Sequence, residues 1–500
     1  MQKFTPDYIL ERITKDKKDP RKQFMDVAVR YYENDSDIMK RRRFFIGNNG
    51  EEIEPKRLSN SKIAHPFFPK LVDQKVNYLL AKELSIDCDD ETYAEHLNSI
   101  FDRAFMRRLR CLCTEAILCA VAWLQVYYDE TGNLAFKTIP SREIIPIWKD
   151  GDHQELRGVI RVYKDDPKDK VEHVEVYDEH TMTAYTFDGG QLKAESQHAH
   201  IQLEENGQRI DADWGRVPFV PFKYNAREIP LLKYIKPAID DYDEITSDMS
   251  NAIKDAPNSL KVVRGYEGQA ASDTAQESDR SGTTKFIHNL HTLGVAFVGE
   301  GGDIEIKQVT LDTNASEAHL ARLRKDIYDA ACGVDAQDAA QGNTSGVAIR
   351  LRYSDLHMNC AAIGNEFAAA LESLLYFINI DAAARHIGNF EGLTASFVFN
   401  TDISVNEAET IQMCVDSKEL LSQRTVLANH PWVKSVDEEI ERIDEELGGV
   451  DGREAGEVSP SGAISLERRA DRSSLPAQYA PSPSAGDTPA TPPNPAKTEA

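Results

Sequence analysis

The chain has 500 residues and a formal net charge of −25 at pH 7, with 41% hydrophobic and 28% charged residues. This composition is typical of a globular protein with more than one subdomain. The negative charge argues against tight wrapping of nucleic acid, which requires a basic surface. No run of 18 apolar residues and no signal-peptide core is present, which predicts synthesis in a cytoplasm without a membrane span.

The first hundred residues are predicted to be helical, with basic patches. Residues 39–45, MKRRRFF, carry four consecutive cations. They could contact nucleic acid, but a solvated helix face or a subunit contact is the favoured interpretation. An apolar stripe at helical spacing runs from Leu71 to Leu80, and a further helix is predicted over about 91–120. From 123 to 225, apolar runs separated by turns predict mainly β structure.

Two long helices are predicted on either side of a small β module. In the first, Ile235, Ile239 and Tyr242 begin one apolar stripe. The opposite face carries five acids, which are Asp240, Asp241, Asp243, Glu244 and Asp248. A carboxylate cluster could hold a metal or act as an acid or base, but no histidine accompanies it. A solvated or pore-facing surface is therefore the favoured interpretation.

A polar loop follows the second helix, and its residues lack any convincing acid, base or nucleophile. It is made of Gln341, Gly342, Asn343, Thr344, Ser345 and Gly346. One of the longest helical patterns in the chain comes next, followed by a strand at 393–402 and short amphipathic helices. The last 53 residues, 448–500, hold eight of the 22 prolines and few apolar residues, which predicts a disordered tail.

The common catalytic and cofactor motifs are missing from the sequence. There is no GxxxxGK[ST] loop for ATP, no HExxH, no CxxC pair and no calcium loop. Cys111, Cys113 and Cys119 share one apolar segment without zinc spacing, so buried reduced thiols are expected there. No catalytic residue, metal or cofactor is assigned, and the chain is not expected to be an enzyme. A metal nuclease using the acids at 240–248 is kept as an alternative.

Four segments in the right order resemble the portal proteins of tailed double-stranded DNA phages, in the long-tailed siphophage branch. They are YYENDSDIMKRR near the N-terminus, KIAHPFFPKLVDQKVNYLLAKEL after it, FKTIPSREIIPIW at 136–148 and GNTSGVAIRLRYSDL at 342–356. The resemblance spans roughly residues 20–447. It implies an α+β, mainly helical portal fold with wing, stem, clip and crown, assembled as a ring.

The resemblance also implies a division of the chain. The expected parts are a wing at 1–228, stem helix 1 at 229–257, a clip at 258–311, stem helix 2 at 312–333, a tunnel loop at 334–347, a long helix and wing strand at 348–403, crown helices at 404–447 and the tail at 448–500. The tunnel loop of this family lies against DNA in the channel. The implied channel residues are Gln341, Gly342, Asn343, Thr344, Ser345, Gly346 and Val347.

By the same resemblance, the chain is expected to form a twelve-subunit ring, or thirteen when isolated, at one capsid vertex. Double-stranded DNA would pass through it non-specifically during packaging and ejection. Expected partners are the terminase large subunit, head-completion or adaptor proteins, and the major capsid and scaffold proteins. The chain would lie in the host cytoplasm before assembly. A non-conducting capsid morphogenesis or scaffold-binding protein is the alternative.

Two cations of stem helix 2 are candidates for the channel wall. Arg324 or Lys325 could form a sparse ring of positive charge facing DNA. The competing interpretation is a salt bridge to the acidic helix face of a neighbouring subunit, and the sequence leaves both open.

Overall fold

The structure is a computed structural model. It describes residues 4–46, 52–54, 58–166, 168–205, 208–255, 260–264, 303–307, 313–339, 346–399, 407–418 and 420–428, with 430, 432–433, 436, 439–440 and 442–443. The chain forms two compact units, residues 1–416 and residues 417–500.

The N-terminal part is helical, as predicted. It contains α1 (Pro6–Asp16), α2 (Pro20–Tyr32), α3 (Phe67–Leu79), α4 (Glu91–Ile100) and α5 (Arg103–Cys119). The helix predicted over 91–120 is two helices, because the side chain of Asp102 accepts a hydrogen bond from the N–H of Phe105 and starts a new one. Asp90 caps α4 in the same way through the N–H of Tyr93.

Most of the strands follow α5. The strands are β1 (Phe45–Ile46), β2 (Glu52–Ile53), β3 (Ser85–Asp87), β4 (Val121–Tyr128), β5 (Leu134–Ile139), β6 (Ile144–Trp148), β7 (Leu156–Tyr163), β8 (Glu172–Tyr177), β9 (Thr181–Asp188), β10 (Gln191–Ala199), β11 (Ile201–Glu205), β12 (Gln208–Ala212) and β13 (Phe219–Lys223). An antiparallel meander has the order β10-β9-β8-β7-β6, and a second sheet has the order β13-β4-β5. The predicted β character of 123–225 is confirmed.

Three apolar cores hold this part together. In one small core, Ile9 and Ile13 of α1 lie against Ile145, Ile160 and Val174 of the meander. A second small core, around Trp123 and Val159, joins the two sheets. The largest core joins α2, α3, α4 and α5 to the second sheet and to the long helices that follow. The β-rich part is therefore attached to the helical base on one side by α1 and on the other by the main core.

The two predicted stem helices are α6 (Leu232–Asp255) and α7 (Thr313–Ala330). They pack against each other. On α7, Leu320 and Ile327 are buried. Between the helices, β14 (Leu260–Arg264) pairs antiparallel with β15 (Asp303–Lys307), so the two ends of the predicted clip module meet. The rest of that module lies outside the described residues.

The remaining elements begin with a short helix. They are α8 (Ala336–Ala339), α9 (Gly346–Ala384), β16 (Ser396–Val398), α10 (Glu407–Ser417) and α11 (Gln423–Ala428). β16 pairs antiparallel with β3, which brings residues 396–398 to the N-terminal part. Residues 351–384 of α9 are long and apolar enough to cross a membrane, but half of their most apolar window is buried within the protein. Burial of Phe367, Leu371 and Leu374 in the main core accounts for this composition.

Candidate channel site

Helix α6, the predicted stem helix 1, is buried against the rest of the protein along two of its faces. One apolar face, including Ile235 and Ile239, is buried against the main core. A second face carries Asp243, Ser247 and Asn251, all of which are buried. Other residues of α6 pack against α7, and Glu244 and Asp248 are exposed.

The second face of α6 corrects the expectation for the acidic residues. Asp243 was predicted to lie on a solvated or pore-facing surface, but it is 0% exposed. Its carboxylate accepts hydrogen bonds from the hydroxyl of Ser36 at 2.7 Å and from the N–H of His65 at 3.0 Å, and the His65 ring Nδ1 lies 2.8 Å away. Asp240 accepts a hydrogen bond from the Tyr31 hydroxyl. Glu244 and Asp248 remain exposed, so only part of the acidic face meets solvent.

An extended segment, residues 59–65, lies along this second face, and we call it the strap. Alternate backbone N–H groups of the strap donate to side chains spaced four residues apart on α6. The bonds are Ser59 to Asp255 at 2.9 Å, Ser61 to Asn251 at 2.6 Å, Ile63 to Ser247 at 3.0 Å and His65 to Asp243 at 3.0 Å. The strap therefore runs antiparallel to α6 and ties the N-terminal part of the chain to the stem.

The regular spacing of these bonds follows from backbone geometry. In an extended segment every second N–H points to the same side, and two residues advance about 6.6 Å. Four helical residues advance about 6.0 Å and return to nearly the same face. The two repeats match closely enough for four successive bonds. Because the strap makes no sheet here, the α6 side chains provide the acceptors that its N–H groups would otherwise lack.

The arginines of the basic segment at 39–45 form ion pairs within the chain. Arg41 pairs with Asp248 at 2.6 Å, and Arg43 pairs with Asp255 at 3.0 Å. Arg42 pairs with Glu54 at 2.7 Å. Since each arginine already faces a carboxylate, the segment is not a free nucleic-acid patch. None of the interpretations offered from the sequence included this contact with the stem.

The acids of α6 do not form a metal site. Within the described ranges, no group of three or more histidine, cysteine, aspartate or glutamate side chains is placed to hold a metal ion. Asp243 and Asp255 are engaged by backbone and side-chain donors of the strap region. The arrangement gives the nuclease alternative no support.

The two candidate cations of α7 have different environments. Arg324 donates two hydrogen bonds to Asp335, from Nε at 2.5 Å and from an η nitrogen at 2.8 Å. Its guanidinium also lies over the rings of Phe67 and Tyr328. Lys325 is exposed and forms no ion pair with any part of the chain that the structure describes. Of the two, only Lys325 is free to face a channel.

The predicted tunnel loop is fixed at its start. The side-chain amide of Gln74 on α3 accepts the N–H of Val334 at 2.9 Å and donates to its carbonyl at 3.0 Å. Asp335, the next residue, is held by Arg324. Gly333 packs directly against Leu71, with no room for a side chain. The start of the loop is therefore attached to α3 at Val334 and to α7 at Asp335.

The helix that follows the predicted loop begins earlier than expected. Gly346 and Val347, assigned to the loop from the sequence, are the first residues of α9. The other candidate channel residues, 341–345, lie outside the described residues.

Helix α3 also holds α9, through a buried lysine. Lys75 is 0% exposed, and its ammonium donates to the side-chain oxygen of Asn359 on α9 at 2.6 Å. No carboxylate of the described chain pairs with it. Burial lowers the pKa of Lys75 below its ordinary value. One turn further along α3, the Tyr78 hydroxyl lies 3.1 Å from the ring Nδ1 of His357.

Replacing this lysine should stabilise the protein. We expect Lys75→Met to raise the free energy of unfolding at pH 7 by about 1–3 kcal/mol, because an unpaired buried charge gives way to an apolar side chain of similar volume. The folded state binds fewer protons at Lys75 than the unfolded state, so wild-type stability should rise as pH increases toward 10.5. The gap between the variants, followed by urea unfolding, should narrow over that range. A constant gap would contradict this.

The cysteines of the described chain are free thiols, and two of the three that were expected to be buried are buried. Cys113, Cys119, Cys360 and Cys414 are buried, but Cys111 is exposed. Burial raises the pKa of the Cys360 thiol to about 11.

Two long helices that pack against each other, with a short antiparallel strand pair in the segment between them, agree with the arrangement expected of a phage portal. The family model described as phage portal protein, SPP1 Gp6-like, matches residues 11–452. The chain belongs to this family. It is a structural family of the virion, whose members assemble as an oligomeric ring at a capsid vertex for passage of DNA.

Individual relatives agree with this assignment. The chain is 27% identical over 438 residues to the portal protein of Clostridium phage phiCD119, covering 84% of this chain and 91% of the relative. It is 26% identical over 432 residues to the portal protein of Bacillus phage SPP1, covering 84% and 83%. Among solved structures, a chain in the neck of an empty GTA particle aligns at a TM-score of 0.41 and 11% identity, covering 73% of this chain and 90% of that one.

Proposed function

We propose that twelve copies of this chain form the channel through which double-stranded DNA is packaged and later ejected. The observation that supports this most directly is the match to the portal family over residues 11–452. We assign to the wing, stem, clip, crown and tail the boundaries expected from the sequence. We place the clip at the terminase motor first and at head-completion proteins later. Major capsid and scaffold proteins would contact the ring from within and around the shell.

Passage of DNA favours a channel that holds it weakly. Each phosphate neutralised by a lysine or arginine releases counterions and strengthens binding, which would trap moving DNA. Twelve chains of net charge −25 carry −300 in total, which opposes adhesion. The pairing of Arg41, Arg43 and Arg324 within the chain removes further cations from contact with DNA.

The loop residues suit a soft seal around DNA. Gln341, Asn343, Thr344 and Ser345 can offer weak hydrogen bonds to phosphate oxygens without reading bases. Gly342 widens the accessible backbone conformations of this stretch. Because the start of the loop is attached at Val334 and Asp335, such changes would be confined to the residues that follow. Lys325, the unpaired cation of α7, would supply the sparse positive charge of the wall.

The mass and shape of the purified protein test the proposal first. Mass photometry and negative-stain imaging should show a ring of about 670 kDa, twelve chains of 56.1 kDa, with a central hole. A thirteen-membered ring would also support a channel, since closure depends on small changes in interface angle. A closed particle without a hole would favour the non-conducting morphogenesis protein instead. A monomer at assembly-permissive salt would contradict both.

Lys325→Ala tests the channel wall separately from assembly. We expect this variant to form normal rings and to lower the amount of DNA packaged in a terminase-driven assay, because a cation facing the DNA is lost. Lys40→Ala, an exposed lysine on the wing, is the matched control and should package normally. Normal packaging by Lys325→Ala would remove the role given to this residue, and failed assembly would instead assign it to a subunit contact.

A further inference from the structure

A cavity of 770 Å³ lies between the first two helices and the β-rich part of the wing. Its walls come from α1, α2, the start of β4, β6 and the segment before α6. The interior is mostly apolar, with Phe24, Met25, Trp123, Ile145 and Trp148 among its lining residues. A cavity of this size and composition suits insertion of a few apolar side chains from a ligand.

The acids around the cavity are already engaged within the chain. Asp16 lies 3.6 Å from Lys22, and Asp19 accepts the N–H of Arg21 at 2.9 Å. Glu228 lies 2.8 Å from the ring of His153 and 3.3 Å from Lys223. Asp16 and Glu228 are therefore paired with cations of the chain, and Asp19 serves as a helix cap.

Most of the cations around the cavity, in contrast, are not paired. Four of them form no ion pair with any described residue, and they are Arg12, Arg21, Arg227 and Lys233. The Arg12 Nε is buried and has no hydrogen-bond acceptor. Lys233 lies over the ring of Phe24. On a chain of net charge −25, this is a local surplus of unpaired positive charge around an apolar cavity.

The walls of the cavity are held in a strained backbone geometry. Three of its lining residues have positive φ without being glycine, namely Ala120 at 72°, His153 at 57° and Glu228 at 53°. The His153 ring stacks on Trp148 at 4.8 Å, and Glu228 holds its other side. Such conformations are energetically unfavourable and cluster at ligand sites in proteins.

We propose that this cavity is a docking site for an acidic amphipathic peptide of a partner protein. Apolar side chains of the peptide would enter between Trp123, Trp148 and Met25, while its carboxylates would face the four unpaired cations. Charge complementarity would set orientation and speed of association, and the buried apolar anchors would supply most of the affinity. This is the mode in which an amphipathic helix lies in a groove. Duplex DNA fits less well, because it has no apolar side chains for the interior.

The test uses the full-length protein and a fluorescein-labelled synthetic peptide of about 15 residues, with leucines on one helical face and glutamates elsewhere. A peptide of the same composition, scrambled so that the leucines are spread around the helix, is the control for simple charge attraction. Fluorescence anisotropy measures binding to wild type, to Arg21→Glu/Arg227→Glu/Lys233→Glu, and to Met25→Trp, which fills the cavity. Arg107→Glu/Lys137→Glu/Lys193→Glu changes the net charge equally at exposed positions elsewhere.

We expect saturable binding to wild type and to the control variant. Binding should weaken at least about tenfold in the triple variant at the cavity and in Met25→Trp. Folding of both is checked by circular dichroism. Equal binding to the two triple variants, equal binding of the scrambled peptide, or no binding to wild type would each overturn the proposal. Displacement of the peptide by a short DNA duplex at lower concentration would reassign the cations to nucleic acid.

Discussion

Asp243→Ala is expected to lower the free energy of unfolding by about 3–5 kcal/mol. The carboxylate is fully buried and receives the Ser36 hydroxyl and the backbone N–H of His65, with the His65 ring alongside. Truncation to alanine leaves these donors in the protein interior without an acceptor. The free energy lost is then the cost of leaving buried polar groups unpaired, which exceeds the net value of one hydrogen bond.

Chemical unfolding of the variant, with Glu244→Ala as control, measures this effect. Glu244 is the next residue on α6 and is exposed, so its truncation should change stability by less than about 0.5 kcal/mol. Asp243→Asn should fall between the two, because its amide oxygen still accepts from His65. If the two alanine variants unfolded at the same denaturant concentration, the strap would have to be held by other contacts.

Arg324→Ala should cost about 2–4 kcal/mol, because it leaves the nearly buried carboxylate of Asp335 without its partner. The side chain of Asp335 is 8% exposed, and both of its oxygens accept from the guanidinium. Arg324→Lys should recover only part of this, since a single ammonium cannot reproduce the planar pair of donors. Urea unfolding, with Lys325→Ala as the matched neighbour, separates a structural cation from an exposed one.

The effect of Arg324→Ala should also depend on pH. Hydrogen bonding from Arg324 lowers the pKa of Asp335 below 3.8. A lowered pKa in the folded state contributes stability above pH 3.8, and that stability is lost as pH falls through the folded-state value. The difference between wild type and variant should therefore be constant near neutrality and shrink in acid. A difference that did not shrink as the pH fell would assign the loss to ring packing with Phe67 and Tyr328 rather than to charge.

Local patterns in the sequence predicted the elements of this fold well. Helical periodicity located α6 and α7, and apolar alternation located the strands of the wing, because both patterns depend on neighbours within one element. The break between α4 and α5 was missed, although Asp102 is a good helix cap. The sequence extends the predicted loop to Val347, whereas α9 begins at Gly346, because glycine is commoner in loops than inside helices.

Contacts between distant elements could not be read from the sequence. The hydrogen bonds between Gln74 and Val334, and the one between Lys75 and Asn359, join residues more than 250 positions apart. The acidic face of α6 was misinterpreted for the same reason. One signal was available there, because Asp243, Ser247, Asn251 and Asp255 repeat every four residues with hydrogen-bond acceptors. That pattern indicates a polar partner along one face, and solvent was assumed in its place.

The matched repeats of the strap and α6 restrict how the length of either segment can change. Deleting one residue between Ser59 and His65 would turn every N–H beyond the deletion away from α6, whereas deleting two would preserve the side that faces the helix. In α6 the smallest change that restores the stripe is close to a full turn. Homologous chains that keep this contact should therefore differ in strap length by even numbers of residues, and single-residue insertions should accumulate in the connections on either side.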